Sequence, residues 1–260
     1  MEAALKRTPY ALTYAPNYKW APLAIKGSSG KAWIKILGKD PDNGATAALV
    51  RYDVGFTAPA GVAASFSDSI VVKGHMTMGG RDCRRLSYYY RPAGAEYGPI
   101  RALTQTTRFV ITGGVGEAHD ETPVVIDNIE GNSPEWEPSE RSAAWSEKTL
   151  RVDRKANCLI TYQLANMFTM FLPGKKWVHP AIEEAYCFEG EGWDYVGEVE
   201  TFVRLRPGTY IYRPPNETWH GTATTIKVPR RIFVKYYDCD FSKKFARSFV
   251  DDIKPATINE

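Results

Sequence analysis

The segment Ser87-Tyr88-Tyr89-Tyr90-Arg91-Pro92-Ala93 returns later as Thr209-Tyr210-Ile211-Tyr212-Arg213-Pro214-Pro215, and the chain around the two copies repeats in the same order. Upstream, Ala32-Trp33 before Leu37 and Asp40 returns as Ala144-Trp145 before Leu150 and Asp153. Between these anchors, Ser69-Ile70-Val71-Val72-Lys73-Gly74 corresponds to Ala185-Tyr186-Cys187-Phe188-Glu189-Gly190, each an apolar run halted by a glycine turn. Downstream, Arg108-Phe109-Val110-Ile111 matches Arg231-Ile232-Phe233-Val234. Anchors kept in one order with modest gaps describe a duplicated domain, not a solenoid of short units. A chain of 260 residues has room for two such domains, each with its own core. The expected boundaries are 1–112 and 142–260, with the acidic, turn-rich stretch 113–141 as linker.

Within each half, short β-branched and aromatic runs are cut by turns such as Asp42-Asn43-Gly44, Gly79-Gly80 and Pro207-Gly208. That rhythm predicts an all-β barrel or sandwich. The exception lies after Asp240, where Phe241, Phe245 and Phe249 recur at helical spacing and predict a short C-terminal helix packed on a barrel.

Charge excludes some functions. Lys and Arg total 33 against 30 acids, and a net charge of +3 does not point to nucleic acid or an anionic membrane. No apolar run approaches the roughly 18 residues needed to span a bilayer, and the start lacks the apolar core of a secretory signal, so a cytoplasmic protein is expected. Cys83, Cys158, Cys187 and Cys239 are isolated. Without a CxxC pair, zinc-finger and thioredoxin-like readings fail and reduced thiols are expected.

The histidines are at 75, 119, 179 and 220. His75, after the Gly74 turn, and His119, in the acidic stretch, read as solvated. His179 and Glu183, with His220 beyond the second YxYRP copy, form the residue set of a facial triad, two imidazoles and a carboxylate that leave coordination positions open. His-x-x-x-Glu also fits a helix that starts at His179-Pro180. The repeat favours a strand, because the matching Gly61–Ser67 leads directly into Ile70-Val71-Val72, and residues four apart in a strand share a face. The same alternation puts Ala185 and Cys187 beside Glu183, with Cys187 read as a buried apolar side chain.

These residues resemble the cupins, whose first motif is Gly-x5-His-x-His-x3-4-Glu-x6-Gly and whose second is Gly-x5-Pro-x-Gly-x2-His. His179, Glu183 and Gly190 match the first, with Trp177 in place of the first His. Pro215-Asn216-Glu217-Thr218-Trp219-His220 matches the second, with Glu217 where Gly is usual. In the N-terminal half the corresponding positions are Gly61, Ala63, Ser67 and Gly98, or Tyr97 with a shift of one. The resemblance implies two tandem cupin domains, each a double-stranded β-helix or jelly-roll barrel. It implies one divalent metal, held by His179, Glu183 and His220 in the second, with Glu184 as the alternative carboxylate. Fe(II) is the first expectation, Zn(II) or Mn(II) the others.

Such a centre implies a dioxygenase cleaving a carbon–carbon bond of a small oxygenated or aromatic substrate. The alternatives are a lyase or isomerase, in which Glu184 or a tyrosine such as Tyr212 moves a proton, and a ligand-binding cupin without turnover. Trp177, Tyr186, Trp193, Tyr195 and Phe202 flank the site as candidate substrate contacts. Arg213 is a further candidate, although Arg91 at the matching place favours a role common to both halves. A small molecule is the expected partner, and a second copy of the chain is the one macromolecular partner left open.

Overall fold

The computed structural model describes residues 11–114, 119–131, 134–138, 145–165, 177–178, 181–196, 201–214, 220–225, 229–237 and 254–255. The chain divides into two compact units, one containing Ala15–Ser133 and the other Pro134–Glu260 together with Thr8–Tyr14. Among the described residues the structure is β throughout, apart from a single 3-10 turn at Ala15–Asn17. The stretch 241–249, expected to be helical, lies outside them.

In both units the largest sheet has seven antiparallel strands. In the first the order is Val124–Ile126, Tyr88–Arg91, Ser67–Lys73, Thr106–Thr112, Thr46–Tyr52, Ala32–Lys39 and Ala21–Pro22. In the second it is Ala11–Tyr14, Thr209–Arg213, Ile182–Glu189, Arg230–Tyr237, Cys158–Ala165, Trp145–Asp153 and Glu137–Pro138. The sequence anchors therefore occupy the same strands in the same places. Ser67 stands opposite Arg91 as Glu183 stands opposite Arg213.

One anchor moves. Arg108 is opposite Val71, and the residue opposite the equivalent Cys187 is Ile232. The counterpart of Arg108 is thus Ile232, not Arg231. In a strand this single step exchanges the two faces, so Arg108 is buried whereas Arg231 lies nearer the surface and pairs with Glu189 at 2.9 Å.

The expected linker is part of both units. Val124–Ile126 adds an edge strand to Tyr88–Tyr90, and Ile129 is fully buried. Glu137–Pro138 pairs with Ser146–Glu147 in the second unit. The matching edge beside Thr209–Tyr212 is covered by Ala11–Tyr14 from the start of the chain. Each large sheet thereby receives a short strand on the side that would otherwise present unpaired N–H and C=O groups.

The duplicated aspartates organise hairpin turns. Asp40 Oδ1 accepts from the Asp42 N–H at 2.9 Å, and Asp153 Oδ1 accepts from the Ala156 N–H at 2.9 Å. A side chain that bonds the backbone a few residues on closes such a turn locally.

A second, smaller sheet closes each core. In the first unit Val50, Tyr52, Val71 and Tyr89 of the large sheet pack with Ala58, Met76, Cys83, Ile100 and Ala102 of a four-stranded sheet. In the second, Ala185, Ile211, Val234 and Tyr236 pack with Leu205 of a five-stranded sheet. These clusters define the inner face of each large sheet, as two sheets burying one face against each other require. The opposite faces are buried too, by Ile70, Tyr88 and Phe109 in one unit and Tyr210 and Phe233 in the other. None of the described helices is long and apolar enough to cross a membrane.

Candidate functional site

Alternation along Ile182–Glu189 puts Glu183 on the inner face with Ala181, Ala185 and Cys187. Arg213, opposite it in register, donates from Nη1 to Glu183 Oε1 at 2.6 Å, and both side chains are buried. Tyr236 stands opposite Glu183 on the other neighbouring strand. Its hydroxyl accepts from Gln163 Nε2 at 3.2 Å, and the same amide reaches Thr161 Oγ1 at 3.1 Å. Burial pushes the Cys187 thiol up to about 12. It is therefore a protonated, apolar neighbour at neutral pH, as expected for a structural cysteine.

The structure separates the two adjacent glutamates. Glu184 points to the opposite face, where its carboxylate accepts from the hydroxyls of Tyr210 at 2.9 Å and Tyr237 at 2.6 Å. Tyr212 is paired with Glu184 in register and shares that face. The proton-moving role expected of Glu184 and Tyr212 at an inner site is therefore not where these residues stand, because one step along a strand reverses the side chain. Tyr186 follows the same parity and packs edge-on against Phe188 at 5.3 Å, so it too leaves the inner face. Its phenol is raised by burial. The first unit repeats this pair, with Tyr88 donating to Asp68 at 2.7 Å.

His179 lies outside the described residues. His220 opens the strand His220–Thr225, with its backbone opposite Trp177 and Val196. The side chains of His220, Trp177, Trp193, Tyr195 and Phe202 are outside the described set. Among the described residues no three His, Cys, Asp or Glu side chains gather as a metal site. Glu183 is a buried carboxylate donor on the inner face, which fits the oxygen member of the expected set.

In the first unit Gly61 is opposite Tyr97, as Trp177 is opposite His220. Tyr97, not Gly98, is therefore the counterpart of His220. A Cβ on Gly61 would come within 2.9 Å of the Tyr97 ring, so glycine there makes room for tyrosine. With Ala63 and Ser67 at the other positions, the first unit keeps the frame without an imidazole at those places.

What sequence reasoning missed is a cavity of about 150 Å³ on this inner face, lined by Ser67, Ser69, Arg91, Tyr97 and Arg108 among others. Arg91 stacks over the Tyr97 ring at 4.4 Å. Arg108 donates from Nη2 to the Tyr52 hydroxyl at 2.8 Å and from Nη1 to Met78 Sδ at 3.5 Å. The sequence shows both arginines beside apolar and aromatic runs, but only the register brings both to one face.

Neither remaining histidine is simply solvated. His75 pairs through Nε2 with Asp82 Oδ1. His119 is half-buried, stacks on Phe66 at 5.2 Å and accepts from the Ala93 N–H at 3.3 Å.

With this geometry in view, three solved structures are informative. A candidate dioxygenase from Nostoc punctiforme superposes with a TM-score of 0.72 at 18% identity, over 96% of this chain and 87% of that one. Streptomyces albus HEPD, solved with 2-hydroxyethylphosphonate and Fe(II), gives 0.65 at 7% identity over 93% and 80%. A cupin 2 conserved barrel domain protein from Leptotrichia buccalis gives 0.52 at 13% identity over 83% and 92%. Identities this low establish shared architecture: the fold is of the cupin type. A family model described as a domain of unknown function, DUF4437, matches residues 12–110. No curated protein matches the chain.

Proposed function

We propose that the second unit holds one divalent ion through His179, Glu183 and His220, and that the protein is a metal-dependent cupin enzyme acting on a small oxygenated or aromatic substrate. The observation that carries this reading is the buried carboxylate of Glu183 on the inner face, at the register position where the first unit has Ser67. A bound Fe(II), Zn(II) or Mn(II) would supply Lewis-acid polarisation of a substrate oxygen and, for Fe(II), access to oxygen chemistry.

The chain's own groups have definite parts in this reading. Arg213 fixes the Glu183 carboxylate through a charge-assisted bond and orients it. Ala185 keeps the neighbouring wall small, and Ala181 and Ile211 exclude water. The Tyr236 hydroxyl, held by Gln163, takes the proton-moving role in place of Glu184 and Tyr212. Carbon–carbon cleavage by a dioxygenase is the reaction we favour, in keeping with the architecture shared with a candidate dioxygenase.

Elemental analysis of protein purified without added metal tests the centre. About one ion per chain is expected in the native protein and none in His220→Ala; full metal in that variant refutes the ligand set. Oxygen uptake across a panel of diketones and phenols tests the reaction. Turnover that continues anaerobically removes the dioxygenase and leaves the lyase or isomerase. A metal-loaded protein that converts nothing is a ligand-binding cupin.

A further inference from the structure

We propose that the interior of the first unit is a binding site for a small organic carboxylate, held between Arg91 and Arg108. The site is independent of the second unit's metal. The two units differ at one register position. In the second unit the duplicated guanidinium, Arg213, has an internal counter-ion in Glu183 at 2.6 Å. In the first, Arg91 faces Ser67 across the same register position. Where the carboxylate would stand there is a cavity instead, and Ser67, Ser69, Arg91 and Arg108 line it.

Arg108 adds a second cation to the same space, its side chain brought inward by the one-residue step described above. Neither Arg91 nor Arg108 pairs with a carboxylate among the described residues. The Nε groups of both are buried without a hydrogen-bond partner. Burial is the leading cause that lowers Arg91 to about 10, with Arg108 the second, and only the phenols of Tyr52 and Tyr97 oppose them. Glu96 and Arg81 also line the cavity, but both are exposed. A buried guanidinium, Arg108, and a half-buried one, Arg91, beside a hollow whose acidic lining residue, Glu96, is exposed are costly unless an anion joins them.

The lining selects the class of anion. A cavity of about 150 Å³ is the size that takes a benzene ring. Met78, Tyr89 and Tyr97 offer it apolar and aromatic surface, while the guanidinium forks suit a planar carboxylate. The serine hydroxyls of Ser67 and Ser69 are further donors. An inorganic oxyanion would satisfy the charge and leave the apolar walls unfilled.

Calorimetric titration of the full-length protein with benzoate, benzamide and inorganic phosphate tests the assignment. Saturable benzoate binding is expected, with benzamide and phosphate much weaker. Arg91→Met and Arg108→Met should each weaken benzoate by about thirtyfold or more. Arg91→Lys, which keeps the charge and loses the fork, should weaken it less and serves if Arg91→Met does not fold. Binding should survive in His220→Ala, so a failure of the metal proposal would leave it standing. Absence of saturable binding, equal binding of benzamide, or unchanged affinity in both methionine variants overturns the proposal. Equal or tighter phosphate overturns the organic class. Benzoate binding lost in His220→Ala but kept in Arg91→Met would move the ligand to the second unit.

Discussion

The two units use one guanidinium in two ways. Arg213 and Arg91 come from the two copies of the Tyr-x-Tyr-Arg-Pro segment, occupy corresponding strands of the two seven-stranded sheets and reach the inner face at the same register. Arg213 is closed into an ion pair by Glu183, whereas Arg91 meets Ser67, a tyrosine ring and a cavity. Both units carry the cation at the same register position, and the residue opposite it on the neighbouring strand decides whether its counter-ion is internal. A vestigial barrel would be expected to fill such space with apolar side chains, because an unpaired buried charge is among the least favourable ways to leave a core.

The largest effect that could break this comparison is removal of the internal counter-ion. Glu183→Ala removes the buried carboxylate that pairs with Arg213 and should destabilise the protein by about 3–5 kcal/mol in denaturant unfolding. Glu183→Gln, which keeps the shape, is therefore the better variant for measuring metal loss. A near-neutral Glu183→Ala would show that the pair contributes little.

Next in size is the reverse exchange. Ser67→Glu places a carboxylate opposite Arg91, into a cavity with room for it. It should stabilise the protein by about 1.5–3 kcal/mol, the range of hydrogen bonds to charged groups, and abolish benzoate binding. Destabilisation, or benzoate binding retained, would mean that Arg91 is not short of an anion.

Smaller and equal effects are expected from the acid–tyrosine pairs that both units keep on the opposite face. Glu184→Gln and Asp68→Asn each weaken a charged hydrogen bond, to Tyr210 and Tyr88 respectively, at a cost of about 1–2 kcal/mol. Metal content and turnover should be unchanged in both. Turnover lost in folded Glu184→Gln would restore that residue to the chemistry. The smallest effect belongs to Ser67→Ala, expected within about 0.5 kcal/mol of the native protein, since that hydroxyl completes no ion pair.

The repeat itself was enough to show two β units, because aromatic and β-branched runs halted by glycine at matching places have few other ways to bury one face. The candidate donors were picked out for a similar reason, since imidazoles are scarce in this chain; of their side chains only Glu183 is among the described residues, and it is buried on the inner face. The two short edge strands were not legible. Ala11–Tyr14 and Val124–Ile126 are short strands whose partners lie far away in the chain, and local pattern carries no trace of such pairing.

Parity and register were likewise beyond the sequence. Glu183 and Glu184 are equally acidic neighbours, and only the pleat assigns one to the inner face and the other to Tyr210 and Tyr237. Arg108 aligns by eye with Arg231, yet the ladder pairs it with the position of Ile232 and so carries a second cation inward. Composition and order along the chain settle which groups exist and how often they recur. Which of them meet, and which lack a partner of opposite charge, is decided when long-range strand pairing fixes every side chain to one face or the other.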